Sequence, residues 1–204
     1  MAMSRPVTTR PTKKMNKANV WGSQIHGGVR VGDETNYYIN LPPPDPTAIT
    51  RALAKFQELS ENDEDFQWFV ERLDFFTNQR TQSPVIGLEQ KLINGGREDL
   101  LEVAIERKDF FVKCLMKSQL NQRRQGVFLY ILQKISFAFE EHVRPLIKKG
   151  APNEVIDSVI LNGIVDAIYR EVMAEDLTVD QYMISGMLYF LTGKCHLIWE
   201  RPKC

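Results

Sequence analysis

Residues 177–199 read Leu-Thr-Val-Asp-Gln-Tyr-Met-Ile-Ser-Gly-Met-Leu-Tyr-Phe-Leu-Thr-Gly-Lys-Cys-His-Leu-Ile-Trp. Tyr182, Met183, Met187, Leu188, Phe190 and Leu191 cover most of the circumference of a helix, so the spacing predicts a helix lying deep inside a packed body. Thr178 is placed to cap its start, and Gly193 fits the left-handed position that closes a helix. His196-Leu197-Ile198-Trp199 follows as a short extended apolar tail. A helix that is apolar on nearly every side needs other helices around it.

The chain before it supplies them. Pro152 opens a helix with Val155, Ile156, Val159, Ile160, Ile164, Ile168 and Val172 in one stripe, ended by the polar Ala174-Glu175-Asp176. Upstream, Arg97 to about Gln119 reads as a long amphipathic helix with Leu100, Leu101, Ala104, Ile105, Phe111, Cys114 and Leu115 facing inward. A second long helix after Asn121 carries Val127, Phe128, Ile131, Leu132, Ile135, Phe139 and Val143, and Pro145 is expected to kink it or end it before Gly150. Val85 to Ile93 makes a short helix stopped by Asn94-Gly95-Gly96. Ser60 with Asp63 resembles a capping arrangement for a helix bearing Phe66, Phe69, Val70, Leu73 and Phe76, and Asp45 caps a first helix that begins at Pro46. Six or seven helices with short connections predict a mainly α, single-core domain over residues 47–204.

The N-terminal quarter has a different pattern. Residues 42–46 form a stiff Pro-rich spacer. Across 21–41 the period is two: Ile25, Val29 and Val31, then Tyr37, Ile39 and Leu41, share one parity, with Gly32-Asp33-Glu34 as turn, which predicts a β-hairpin. A lone hairpin is marginal in water, so its apolar face either docks on the helical domain or pairs with another copy or a partner's sheet edge. Residues 1–20 hold five basic residues and no acidic one, a composition expected to stay flexible; the leader is either an arm touching phosphates or an acidic partner, or a plain disordered extension.

Charge and chemistry bound the function. The 26 basic and 26 acidic residues balance, and the pI of 6.8 argues against a nucleic-acid footprint over the whole chain, leaving the leader and Arg123-Arg124 as a possible local one. Three widely spaced cysteines, with no CxxC pair, fit neither a disulfide framework nor a zinc site and point to a reducing, cytoplasmic compartment. No segment approaches the length of a spanning helix, so no membrane partner is expected. His196 or His142 with nearby carboxylates is the only opening for hydrolase or nuclease chemistry, and no nucleophile–base or multi-carboxylate spacing accompanies either. Neighbouring Cys195 and His196 point to opposite sides of an extended tail. The expectation is a non-enzyme with no cofactor and no bound metal.

Three segments carry a family resemblance: Ile86-Gly87-Leu88-Glu89-Gln90-Lys91-Leu92, Gly95-Gly96-Arg97-Glu98, and Gly186 through Trp199. Together they resemble the helical C-terminal domains of bacterial ABC-three-component conflict systems, over about residues 50–199. The Gly-rich stretch Gln24 to Asp33 also resembles short β segments that precede signalling domains in bacterial immune proteins. The resemblance implies a defence component working with an ABC-type ATPase and a middle component. These residues are expected to hold no effector domain, so what the resemblance implies for them is coupling: an adaptor that docks an ATPase or effector partner encoded nearby and self-assembles through the hairpin. The contact residues expected on that reading are Ile25, Val29, Val31, Tyr37 and Ile39, with His196 and Trp199 as a second surface; Tyr182 and Tyr189 are expected in the core.

Overall fold

The structure, a computed structural model, describes residues 45–57, 64–80 and 86–201, together with Gly28–Val29 and Tyr37–Tyr38. Those last two segments, β1 and β2, pair antiparallel with Gly28 opposite Tyr38 and Val29 opposite Tyr37. The rest of the expected hairpin, with Ile25, Val31 and Ile39, lies outside the described residues, as do the basic leader, most of the Pro-rich spacer and the Ser60–Asp63 cap.

From residue 45 onward the described chain is helical. Helix α1 (Pro46–Gln57) starts under the Asp45 carboxylate, which accepts from the Thr47 amide at 2.9 Å. It is followed by α2 (Glu64–Thr77), α3 (Leu88–Asn94) and α4 (Leu101–Lys117), the last preceded by a 3-10 turn at Glu98–Leu100. Asn121 caps α5 (Gln122–Ala138) by accepting from the Arg124 amide at 3.0 Å. That helix runs on through a π-helical turn at Phe139–Val143 into α6 (Arg144–Lys148). A second continuous rod joins α7 (Asn153–Ser158), a π-helical stretch at Val159–Val165 and α8 (Asp166–Val172). Helix α9 (Gln181–Gly193) completes the body, which, with the continuous rods taken as one each, has seven helices among the described residues.

The helix ends before Gly150, as expected, but at Lys148 and not at Pro145 itself. The ring would press on the carbonyl four residues back in an α-helix, and it offers no N–H. The π turn just before it widens the rod, with the Arg144 amide donating to the Phe139 carbonyl five residues earlier. The chain then continues helically to Lys148.

Helix ends are closed by one device used three times. After α3 the Gly96 amide donates to Ile93 and the Arg97 amide to Leu92; after α6 Gly150 donates to Ile147 and Ala151 to Leu146; after α9 Cys195 donates to Thr192 and His196 to Leu191. Each pair of bonds needs a residue in the left-handed region, taken by Gly96 (φ 68°), Gly150 (φ 70°) and Cys195 (φ 67°). This corrects two expectations. Gly193 is the last residue of α9, and the left-handed position falls two residues later on a cysteine. Thr178 does not cap α9: Asp180 does, accepting from the Met183 amide at 2.8 Å, while Thr178 is held in a turn by Asp176.

Every residue from Met183 to Thr192 is buried, as the all-round apolar pattern requires. Helix α9 lies along α4 and also touches α3, α5, α8 and the Val159–Val165 stretch; α1 packs on α5 and α8, and α2 on α5. At the centre, Phe111 of α4 meets Phe128 of α5 and Phe190 of α9 edge-on at 5.5 and 5.2 Å. Helices α4 and α9 approach closely at Gly186, where a Cβ would lie 2.3 Å from the Arg107 carbonyl oxygen and 3.2 Å from the Phe111 Cβ.

Gly186 and Gly193 therefore respond oppositely to the same change. Gly186→Ala forces α4 and α9 apart and is expected to cost roughly 2–4 kcal/mol. Gly193→Ala meets only the Leu88 Cβ at 3.6 Å, an ordinary contact, and is expected to be neutral or stabilising by up to about 1 kcal/mol. Urea denaturation of the two variants beside the parent protein measures both.

Candidate functional site

The tail after α9 is built into the body. Trp199 is 2% exposed; its indole N–H donates to Thr192 Oγ1 at 3.0 Å, and Thr192 in turn donates to the Leu188 carbonyl at 3.0 Å. Its ring packs 5.2 Å from Phe139 and under the Arg97 guanidinium at 5.7 Å. Gly95 makes the seat, since a Cβ there would stand 2.9 Å from the Trp199 Cβ. Arg144 Nη1 clasps the segment on either side of Trp199, donating to the carbonyls of Ile198 and Glu200 at 3.2 and 2.6 Å.

His196 is 6% exposed and sits against the rings of Phe75 and Phe76 at 5.0 and 5.4 Å, with Nε2 3.3 Å from the Asn78 carbonyl. Burial pushes its pKa below the ordinary value of 6.5; the backbone bonds to Asn78 and Phe75 act the other way, and the charges of Arg80 and Lys91 add to the depression. Beside it the Arg80 amide donates to the Lys194 carbonyl at 2.9 Å. Neither His196 nor Trp199 thus offers an open contact face; both fasten the tail, one to the end of α2 and the other to the turn after α3.

The other residues singled out by chemistry are dispersed. His142 is half-buried on the first π turn, and Cys195 places its thiol 3.6 Å from the Ile86 carbonyl. Among the described residues no group of three His, Cys, Asp or Glu is placed to hold a metal ion. Arg123 pairs with Glu175 at 2.8 Å and Arg124 with Asp176 at 3.5 Å, so both charges are met by carboxylates of the chain that follows α8. Next to them buried Glu171 accepts from Tyr130 and Lys134, each at 3.0 Å, and from the Asp45 amide at 3.3 Å, tying α1, α5 and α8 together. Burial first, and then the Glu171 charge, raises the Tyr130 pKa.

A concave feature with convergent polar groups lies elsewhere. A half-open cavity of about 160 Å³ is enclosed by α4, the end of α7, the second π-helical stretch, α9 and the tail. Leu100, Ile160, Leu161, Val165, Leu188 and Trp199 give it apolar walls, and Arg107, Asp157, Ser185 and Tyr189 give it polar ones. Asp157 is engaged by Arg97 at 2.8 Å, and Ser185 donates to the Gln181 carbonyl at 2.8 Å. Burial raises the Tyr189 pKa while the Arg107 and Arg97 charges oppose the rise, so the phenol keeps its proton at neutral pH. Sequence reasoning places Tyr189 in the core and passes over Arg107 and Asp157. The readable signal is Arg107 itself, a cation three residues after buried Ala104 and four before buried Phe111, on the inward stripe of α4. Tyr182, expected in the core, is half-exposed and donates to Glu106 at 2.8 Å under the Arg107 guanidinium.

A family model described as C-terminal domain 9 of the ABC-three component (ABC-3C) systems matches residues 87–199. The match opens at Gly87, the residue before α3, and closes on Trp199, so it takes in the cavity and the fastened tail together. No curated protein and no solved structure matches the chain. Among the described residues no helix is long and apolar enough to cross a membrane.

Two measurements probe the tail. Thr192→Val leaves the Trp199 N–H buried without an acceptor and is expected to cost about 1–3 kcal/mol in urea denaturation. Because the folded pKa of His196 lies below its unfolded value of 6.5, the fold favours the neutral ring. That contribution is complete above the unfolded pKa and is lost as pH falls through the folded one, so Tm is expected to drop from about pH 7.5 to about pH 5.5. In His196→Gln this part of the drop disappears.

Proposed function

The chain belongs to the C-terminal domain 9 family of the ABC-three component systems, and from that membership we propose that it is a non-enzymatic adaptor, docking an ATPase or effector protein encoded beside it. The single observation that carries the reading is the match across residues 87–199, more than half of the chain, to a domain of a multi-component system. The side chains that chemistry would recruit support it. His196 is held by a backbone carbonyl between two rings, and Cys195 lies in a helix-closing turn; each has a structural job.

An adaptor needs an exposed surface, and α4 has one. Val103 and Phe110, seven residues apart on the same stripe, are 37% and 41% exposed, and Phe110 stacks edge-on against Tyr182 at 5.3 Å. We assign partner docking to this outer face. Self-assembly through the hairpin residues Ile25, Val29, Val31, Tyr37 and Ile39 belongs to the same reading, as does a cytoplasmic setting.

Co-expression with the neighbouring gene products, followed by affinity capture and light scattering after size exclusion, tests the proposal. The full chain is expected to retain one neighbour and to run as an oligomer that a chain starting at Leu41 does not form. Val103→Glu combined with Phe110→Glu is expected to lower the retained partner about tenfold without changing the far-ultraviolet spectrum. A monodisperse monomer that retains no neighbour would sink the adaptor reading.

A further inference from the structure

We propose that the cavity between α4, the Val159–Val165 stretch and α9 binds a small carboxylate carrying an apolar body about the size of a benzene ring. Two polar groups at the cavity are left without hydrogen-bond partners among the described residues. Arg107 reaches no carboxylate within ion-pair distance among the described residues, and its Nε is buried without a hydrogen-bond partner. The Tyr189 hydroxyl, on the facing helix, likewise has no partner among the described residues. An arginine offers only donors and a protonated phenol offers one, so the group that satisfies both is an acceptor, best a charged one.

The competing charge is already met. Asp157, the one carboxylate on the wall, is held by Arg97 at 2.8 Å, and Arg97 also pairs with Asp99 at 3.3 Å. The Ser185 hydroxyl spends its proton on the Gln181 carbonyl and presents a lone pair. What remains for a ligand is Arg107, which has the Tyr182 ring at 5.3 Å but no carboxylate partner among the described residues, and Tyr189, against aliphatic walls and the Trp199 ring. A few polar groups that fix orientation, set in a mainly apolar hollow, is the usual make-up of a small-molecule site. A volume of about 160 Å³ sets the size, since a cavity of about 150 Å³ admits benzene. The opening is marked by Leu161, 53% exposed, on a π-helical stretch, a distortion often found where helices carry function.

This site borders the docking face through Arg107, whose guanidinium lies over the Tyr182 ring that Phe110 meets edge-on, but the proposal does not depend on the adaptor reading. A free apolar acid and the terminal residue of a polypeptide offer the same chemistry, and the test separates them.

The full chain, 15N-labelled, is titrated with benzoate, with benzamide and with N-acetylphenylalanine, following the indole N–H signal of Trp199, assigned through Trp21→Phe and Trp68→Phe. Benzoate is expected to shift that signal saturably with a Kd on the order of 1 mM, and benzamide at least about tenfold more weakly. Arg107→Gln and Tyr189→Phe are each expected to weaken benzoate severalfold to tenfold and leave benzamide unchanged. N-acetylphenylalanine binding more tightly than benzoate identifies a chain terminus as the source, and weaker binding identifies a free acid. Equal binding of benzoate and benzamide, or no shift of Trp199 with either, overturns the proposal on the parent protein alone, whatever the variants do. An Arg107→Gln protein that folds and binds benzoate with unchanged affinity also overturns it.

Discussion

The contact on which the rest of the body depends is the crossing of α9 over α4 at Gly186. With no side chain there, the α9 backbone comes down on the Arg107 carbonyl, and the helix sinks until its flanks meet α3, α5 and α8 as well. Burial of ten consecutive residues follows from that depth. A helix on a protein surface buries a stripe; one buried on all sides must have its neighbours in place before it is stable, so α9 both requires and organises the surrounding rods. Phe111 fills the space beside the crossing, edge-on to both Phe128 and Phe190, and locks the three helices in one packed layer.

Depth at the crossing also decides where the chain goes next. Because α9 ends inside the body, its last carbonyls must be satisfied there, and the left-handed Cys195 turns the tail back so that the amides of Cys195 and His196 meet them. A cysteine in this conformation costs about 1 kcal/mol that a glycine would not. The turn is held regardless, by the thiol contacts to Gln79 and Ile86, by His196 against α2 and by Trp199 on Gly95. The same inward return makes Trp199 a wall of the cavity, so the residues that complete the fold and those that shape the hollow are partly one set.

Much of the architecture was legible in residue patterns. The helical body, the centrality of 177–199 and most core positions follow from apolar spacing, and Asp45, Asn121 and Pro152 mark helix starts where they fall. Local ambiguity defeated other readings. Thr178 and Asp180 are both good caps two residues apart; Asp180 takes the Met183 amide, while Thr178 is engaged by Asp176, which sequence spacing does not show. Gly193 resembles a terminator because glycine favours the left-handed region, yet it is the last helical residue, and a Cβ there would meet only Leu88 at an ordinary 3.6 Å. The π turn before Pro145 leaves no periodic trace. Arg107, Asp157 and Tyr189 come from three separate segments, and nothing in sequence spacing brings them to one cavity.

These interactions describe one cooperative unit from α3 to the tail, with α9 at its centre and the tail fastened to it. Native-state amide hydrogen exchange read residue by residue tests that claim most directly. The account predicts that the amides of Cys195 and His196 exchange only as slowly as those of Phe111 and Leu188, through global unfolding. Exchange of the two tail amides through an opening that leaves α4 and α9 protected would contradict it.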